Sequence, residues 1–343
     1  MILAAGFGTR LFPLTIDRTK PAIPFLGKPL VGYVAEYVAR FGFRDVIVNL
    51  HHQPESVKNA LGDGSNYGVK IQYTLEKPHI LGTAGALDNA REFLENETFL
   101  IINGKIICDI DIAAALETHR KTGAIATMIL KENAARERFT IVETENGFVK
   151  AFGDFPSAEY GMRNAELKTE NQASALRTPH SAFSAPLMFT GIHILEPRVF
   201  DFIPRGVYSD IVPTFYNPAI ERGEKIAAHI TTGNWFELST IPRYLDISLA
   251  MMTGDKNVFT GDACSISPDA RISDSVIWDD VIIQSGARLR RTIIGDGVTI
   301  KTGEAFENAA IIRAEMLAQC TEIPEKATKG FTRGENYIVP LVI

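Results

Sequence analysis

Short apolar runs alternate with longer amphipathic stretches from residue 1 to about residue 250. MILAA, DVIVNL, VKIQYTL and TFLIING are apolar, rich in β-branched residues and bounded by Gly, Asp or Asn, the pattern of buried strands. Between them VGYVAEYVARFG, PESVKNALGDG, AGALDNAREFLEN and DIAAALETHRKTG repeat apolar side chains at helical spacing and end near Gly or Asn. The alternation predicts an α/β layer fold, Rossmann-like with a mostly parallel sheet, in which ligands sit at the carboxyl ends of strands. A polar stretch over 157–186 breaks the pattern without any sustained period and reads as a surface insertion.

Beyond residue 250 the period changes to six. Ala270, Val276 and Ile282 form one row; Val281, Ala287 and Ile293 form a second, continued by Ala305 and Ile311, with Gly286, Gly295, Gly297 and Gly303 between. Six-residue spacing with Gly at turns predicts a short left-handed hexapeptide β-helix over 262–315, whose coils bury each other's inward residues. A set of short antiparallel strands is the alternative. At roughly 18 residues per coil the run makes only about two to three coils, near the minimum for a stable array. It is therefore expected to pack on the preceding domain (1–250) or on a second subunit. The tail over 316–343, with its apolar end YIVPLVI, is a candidate cover for the last strand edge.

Composition narrows the function classes. In 343 residues, 35 Lys and Arg stand against 41 Asp and Glu, a net charge of −6, which argues against nucleic-acid binding through a global positive field. Cys108, Cys264 and Cys320 are far apart and form no metal-ligand spacing, which suits a reducing compartment. The first residues do not read as a signal peptide, and Asn103, Lys105 and Asp109 break the most apolar run, so no membrane span is expected. A cytoplasmic protein is the expectation.

The segment from Leu3 to Leu30, LAAGFGTRLFPLTIDRTKPAIPFLGKPL, holds the densest chemistry. A strand (Leu3, Ala4, Ala5) runs into Gly6, Gly8, Thr9 and Arg10, where missing Cβ atoms let backbone N–H groups approach an anion and Arg10 adds a cationic fork. Lys20 brings a second positive charge to the same crevice. The segment fits neither GxGxxG, since position 11 is Leu, nor the P-loop, since Gly27-Lys28 precedes Pro29. A dinucleotide site for hydride transfer is thereby set aside, whereas a plain strand-to-helix turn at Gly6 and Gly8 stays open as the bland reading.

Taken whole, the segment resembles the signature of the sugar-1-phosphate nucleotidyltransferases, the NDP-sugar pyrophosphorylases: LAAGxGTRLxPLT followed by KPxxPxxGKPL. The resemblance continues through EKPHILGTAGAL, FLIINGKIICDID, PLMFTGIHIL and GNWFELSTIPRYL, over roughly residues 1 to 250. The hexapeptide tail is similar to that of the long members, including the mannose-1-phosphate guanylyltransferases. The resemblance implies transfer of a nucleotidyl group from an NTP to a sugar 1-phosphate, with release of pyrophosphate and formation of an NDP-sugar. It assigns Arg10 and Lys20 to the triphosphate, with Leu3, Ala4, Ala5, Gly6, Gly8 and Thr9 around it. Glu76, Leu81, Gly82 and Thr83 then meet the base, Asp154, Thr190 and Gly191 the sugar, and Glu237 a Mg²⁺ ion. The strand edges of the short coils make a homo-oligomer the expectation, and a non-catalytic homologue would instead serve as a subunit of a related active protein.

Three positions depart from the family pattern. The NGD aspartate that ligates Mg²⁺ is replaced in Asn103-Gly104-Lys105, the second metal aspartate is Glu237, and the lysine of FxEKP is Phe155. A cation at Lys105 repels a metal. Two functional readings therefore stand: an active transferase, with Lys105 neutralising phosphate in place of the metal, or a non-catalytic homologue that binds nucleotide sugars. Asp109 and Asp111 read as helix-start residues, with rearranged metal binding as the alternative. His51 and His52 read as loop packing, Trp235 as a wall of the site and Lys150 as a solvated strand residue. Neither the base nor the sugar is named by the sequence.

Overall fold

The computed structural model describes residues 1–135, 137, 139–153, 185–254, 256–320 and 322–341. The chain forms two compact units built from interleaved segments. One takes Met1, Leu81–Asn103 and Asp109–Trp235; the other takes Ile2–Ile80, Gly104–Cys108 and Phe236–Ile343.

The second unit begins with three parallel strands, Ile2–Leu3, Asp45–Leu50 and Lys70–Leu75, aligned Ile2 to Val48 and Val48 to Tyr73. Helix Leu30–Arg40 follows from apolar side chains on one stripe: Leu30, Val31, Val34, Ala35 and Val38 are all buried. Helix Ile241–Met251 is capped by Thr240, whose side chain accepts from the Arg243 N–H.

From Val258 the chain winds into stacked parallel strands. Val258–Thr260 pairs with Ser275–Ile277, which pairs with Arg288–Ile294, and that strand with Ala305–Arg313. Paired residues such as Val276 and Ile293 are 17 positions apart. The parallel ladders exclude the antiparallel alternative for this stack. The step also corrects the six-residue rows, because three sixes overrun each coil by one residue. Val281 and Ala287 do join the cluster that contains Ile283, Ile294, Val298 and Ile300. Ile282 and Ala305, however, are exposed. Val276, Ile293 and Ala310 belong instead to a second cluster, with Leu11, Phe12, Leu14, Tyr244 and Leu245. That second cluster seats the coils on the segment after Arg10 and on helix Ile241–Met251. The last parallel strand is covered as expected: Asn336–Pro340 pairs antiparallel with Ala309–Arg313.

Polar contacts reinforce the seat. Trp278 Nε1 donates to the Tyr244 hydroxyl at 3.0 Å, which donates to the Pro24 carbonyl at 2.5 Å. Arg18 reaches Asp296 at 2.7 Å and lies 5.4 Å from the centre of the Trp278 ring.

The first unit departs from a mostly parallel sheet. Leu187–Leu195 runs antiparallel to both Phe99–Asn103 and Ala126–Glu132, and only Ala126–Glu132 and Ile226–Ile230 pair in parallel among its described strands. Part of the reason is local. Asn146 and Gly147 take φ of 53° and 82°, the mirror-image turn that folds Ile141–Glu145 directly onto Phe148–Gly153 without a crossover helix. The insertion lies almost wholly outside the described residues. No helix among the described residues is long and apolar enough to cross a membrane.

The 17-residue step is tested by a pair of substitutions that the six-residue rows treat alike. Ile293→Ala, at a fully buried position, is expected to cost about 2 to 5 kcal/mol in urea unfolding. Ile282→Ala, 45% exposed, should stay within about 0.5 kcal/mol of the parent. Equal losses at both positions would restore the six-residue register.

Candidate active site

In the second unit, strand Ile2–Leu3 leads into a turn in which Gly8 takes φ of 67° and caps the short helix Thr9–Leu11. A Cβ on Gly8 would stand 3.0 Å from Lys20 Cβ and 3.1 Å from Thr15 Cγ2, so glycine here brings Lys20 against the loop. Beside Gly6 a Cβ would meet nothing within 4 Å among the described residues. Gly104 donates its N–H to the Leu3 carbonyl at 2.9 Å, and a Cβ there would sit 3.0 Å from the same oxygen. This close approach sets Lys105 beside the end of the first strand.

Lys105 Nζ lies 2.7 Å from Glu237 Oε1, and Lys20 Nζ lies 3.6 Å from the same oxygen. Lys20 and Glu237 are buried, whereas Lys105 is about one-third exposed. Glu237 ends a strand that pairs with Ile106–Cys108, and its carbonyl accepts from Arg243 Nε at 2.7 Å. Burial pushes the Lys20 ammonium down to about 7, Lys105 and Arg10 push the same way, and Glu237 opposes them. Burial alone would raise Glu237, but Lys105, Lys20 and Arg10 outweigh it and hold the carboxyl below its usual range. Arg10 is itself exposed at the rim.

A contributor that sequence reasoning missed stands behind the loop. Asn49 accepts from the Ala4 N–H at 2.8 Å and donates to Glu76 at 2.6 Å. It thereby engages one carboxylate oxygen of Glu76, which is buried. The available signal was a polar residue near the carboxyl end of the apolar strand DVIVNL. His51 and His52 pack against the Phe7 ring at 5.7 and 5.1 Å, in keeping with the packing reading.

The other assigned residues lie in the first unit. Gly82, at φ 74°, leaves no room for a side chain because a Cβ would come within 2.6 Å of the Ser209 carbonyl; the neighbouring backbone therefore accounts for this glycine without a base. Thr83 accepts from the Ile211 N–H at 2.8 Å, and Leu81 accepts from the Ser209 N–H at 2.9 Å. Thr190 is fully buried, its hydroxyl donating to the Ile129 carbonyl at 2.7 Å and its own carbonyl accepting from Trp235 Nε1 at 2.8 Å. Gly191 has φ 78°, and a Cβ there would stand 2.0 Å from Asn103 Nδ2. Asp111 caps helix Ile112–Thr122, while Asp109 accepts from the Asn234 backbone and side chain at 2.6 and 2.7 Å. Asp154 and Phe155 lie outside the described residues.

The Mg²⁺ implied by the resemblance does not fit this arrangement. Mg²⁺ is bound through carboxylates, yet a cation on Glu237 would stand beside the ammonium groups of Lys105 and Lys20, which lie 2.7 and 3.6 Å from its Oε1 and repel it. No group of three or more His, Cys, Asp or Glu among the described residues is arranged to hold a metal ion.

Comparison with known proteins agrees with the signature. The chain matches the nucleotidyl transferase family over residues 1–254 and a GlmU-like C-terminal hexapeptide domain over residues 255–331. It is 30% identical over 316 residues to a UTP–glucose-1-phosphate uridylyltransferase of Synechocystis sp., covering 88% of this chain and 76% of that protein. It is 28% identical over 320 residues to a mannose-1-phosphate guanylyltransferase of Mycobacterium tuberculosis, covering 90% and 82%. An N-acetylmuramate alpha-1-phosphate uridylyltransferase of Neisseria meningitidis is 30% identical over 243 residues, covering 71% and 94%. A crystal structure from Bacillus anthracis, assigned as a glucose-1-phosphate thymidylyltransferase, shares the fold with a TM-score of 0.57 at 20% identity, over 74% of this chain and 96% of that one. With its glycine turn, Arg10 and Lys20 in a segment that falls wholly within the larger match, the chain belongs to the nucleotidyl transferase family.

Proposed function

We propose that the protein joins an NTP to a sugar 1-phosphate, releasing pyrophosphate and forming an NDP-sugar. The observation that carries the reading is the convergence of Lys20 and Lys105 on Glu237 beside the Gly8 turn. Two polyanions repel, and concentrated positive charge with backbone N–H donors lets them share one crevice. The chemistry asks for little else. An oxygen of the sugar phosphate forms a bond to the α-phosphorus, the bond from that phosphorus to the bridging oxygen breaks, and the electron pair leaves with pyrophosphate. The attacking oxygen is already anionic, so no general base is needed. In this reading Arg10 and Lys20 hold the triphosphate against Gly6, Gly8 and Thr9, and Asn49 orients the backbone at Ala4 from behind.

The residues Leu81, Gly82 and Thr83 are assigned to the base, and Thr190 and Gly191 to the sugar, as the resemblance implies; the Thr190 hydroxyl, bonded to the Ile129 carbonyl, serves in this reading to position its strand. The curated relatives carry enzyme names, which favours transfer over mere binding. The six-residue patterning and the 17-residue parallel step support a left-handed β-helix for the coils.

Pyrophosphate release from paired panels of UTP, GTP, dTTP and ATP with glucose, mannose and N-acetylmuramate 1-phosphates tests the reading; no release from any pair, with or without Mg²⁺, would reject it. Arg10→Ala is expected to weaken NTP binding at least tenfold, because a charge-assisted contact contributes about 1.5 to 3 kcal/mol. Unchanged binding in a calorimetric titration would remove Arg10 from the site.

The sign of the pH dependence follows from Lys20. Above about 7 its amine is largely neutral, and an incoming polyanion favours the charged form. Titration with NTP at pH 8 should therefore take up close to one proton per site, seen as a dependence of the binding heat on buffer ionisation enthalpy. That dependence should vanish in Lys20→Met.

A further inference from the structure

We infer that Lys105, tethered by Glu237, supplies the positive charge that a divalent cation would otherwise bring to the triphosphate, so that the NTP binds and pyrophosphate departs without a metal ion. The inference rests on the transferase reading above and adds how its anionic substrates are neutralised.

The geometry makes this a built site. Gly104 is fixed to the Leu3 carbonyl, so Lys105 starts from a rigid point beside the strand that carries the phosphate turn. Its ammonium is held at 2.7 Å by a carboxylate that is only 9% exposed, while its own side chain is 35% exposed. One side of the ammonium is therefore anchored, and part of the side chain remains open to solvent. A divalent cation on Glu237 would lie against two ammonium groups, Lys105 at 2.7 Å and Lys20 at 3.6 Å from its Oε1, and like charges oppose it there. The pair does not cancel the local field. Arg10, Lys20 and Lys105 against Glu237 give three positive charges and one negative, a net +2 when Lys20 is charged, which equals the charge of one divalent cation. An ammonium is a compact donor that can bridge phosphoryl oxygens through its hydrogens but cannot polarise them as a Lewis acid. Triphosphate binding is therefore the step in which the substitution is most complete.

The test is calorimetric titration of the full chain with UTP, GTP and inorganic triphosphate, in excess Mg²⁺ and in EDTA, alongside pyrophosphate release under both conditions. Expected is an affinity in EDTA within threefold of that in Mg²⁺, at least tenfold loss of the EDTA affinity in Lys105→Ala, and its recovery in Lys105→Arg. Glu237 stays paired with Lys20 in both variants, and matching thermal unfolding would confirm intact folds. Lys105→Asp should make binding depend on Mg²⁺ or Mn²⁺, with bound Mn²⁺ visible by electron paramagnetic resonance. Binding by the parent chain that is at least tenfold tighter with Mg²⁺ than with EDTA, or Lys105→Ala binding in EDTA like the parent, would overturn the inference and leave the transferase reading in place. No binding of any triphosphate under either condition would reject both.

Discussion

Two ammonium groups share one buried carboxylate, and the rest of the site depends on that arrangement. Desolvated lysines repel each other and lose their protons readily, whereas a carboxylate between them makes their proximity tolerable. Glu237 is held from three directions: by the strand partner over Ile106–Cys108, by the hydrogen bond from Arg243 to its carbonyl, and by the capped helix that begins just beyond it. A side chain fixed in this way fixes the two cations in turn. The glycine turn lies against this cluster, since a Cβ on Gly8 would stand 3.0 Å from Lys20 Cβ.

The coils contribute to that field without carrying any of its charges. Arg18 is bound by Asp296 from the coils, and Pro24 is reached through Tyr244 and Trp278, so both flanks of Lys20 are clamped by the tail and its supporting helix. Apolar packing does the larger share, because Leu11, Phe12 and Leu14 lie in one cluster with Val276, Ile293 and Ala310. Hydrophobic burial is non-directional, but here it immobilises a segment whose neighbours are directional.

Local pattern made the strands and helices of the first 122 residues legible: DVIVNL corresponds to strand Asp45–Leu50, and the PESVKNALGDG stretch to helix Pro54–Leu61. The coils were legible in kind but not in phase, since a 17-residue step differs from three sixes only where the chain turns. The antiparallel hairpin at Asn146-Gly147 carries a local signal in that dipeptide, which favours a two-residue mirror-image turn. At the candidate site, the glycine turn and Lys20 stood out as a motif, and Lys105 as a departure from one. Asn49, on strand Asp45–Leu50, and Glu76, just past the end of the neighbouring strand Lys70–Leu75, are 27 residues apart, and no local spacing announces such a pair. Thr190 shows what a motif leaves unsaid: its hydroxyl donates to the Ile129 carbonyl inside the sheet, a partner that no local spacing announces.

The interleaved make-up of the site-bearing unit has a consequence for biosynthesis. Its first part ends at Ile80, yet its largest remaining part starts only at Phe236. At roughly 5 to 20 residues per second, a ribosome needs about 8 to 30 s to span that interval. Throughout it, Leu11, Phe12 and Leu14 wait on the nascent chain without the coil residues that will bury them. A chain of this design exposes its most functional segment to the translating cell for longest, which makes that segment the natural client of any factor that shields apolar surface during synthesis.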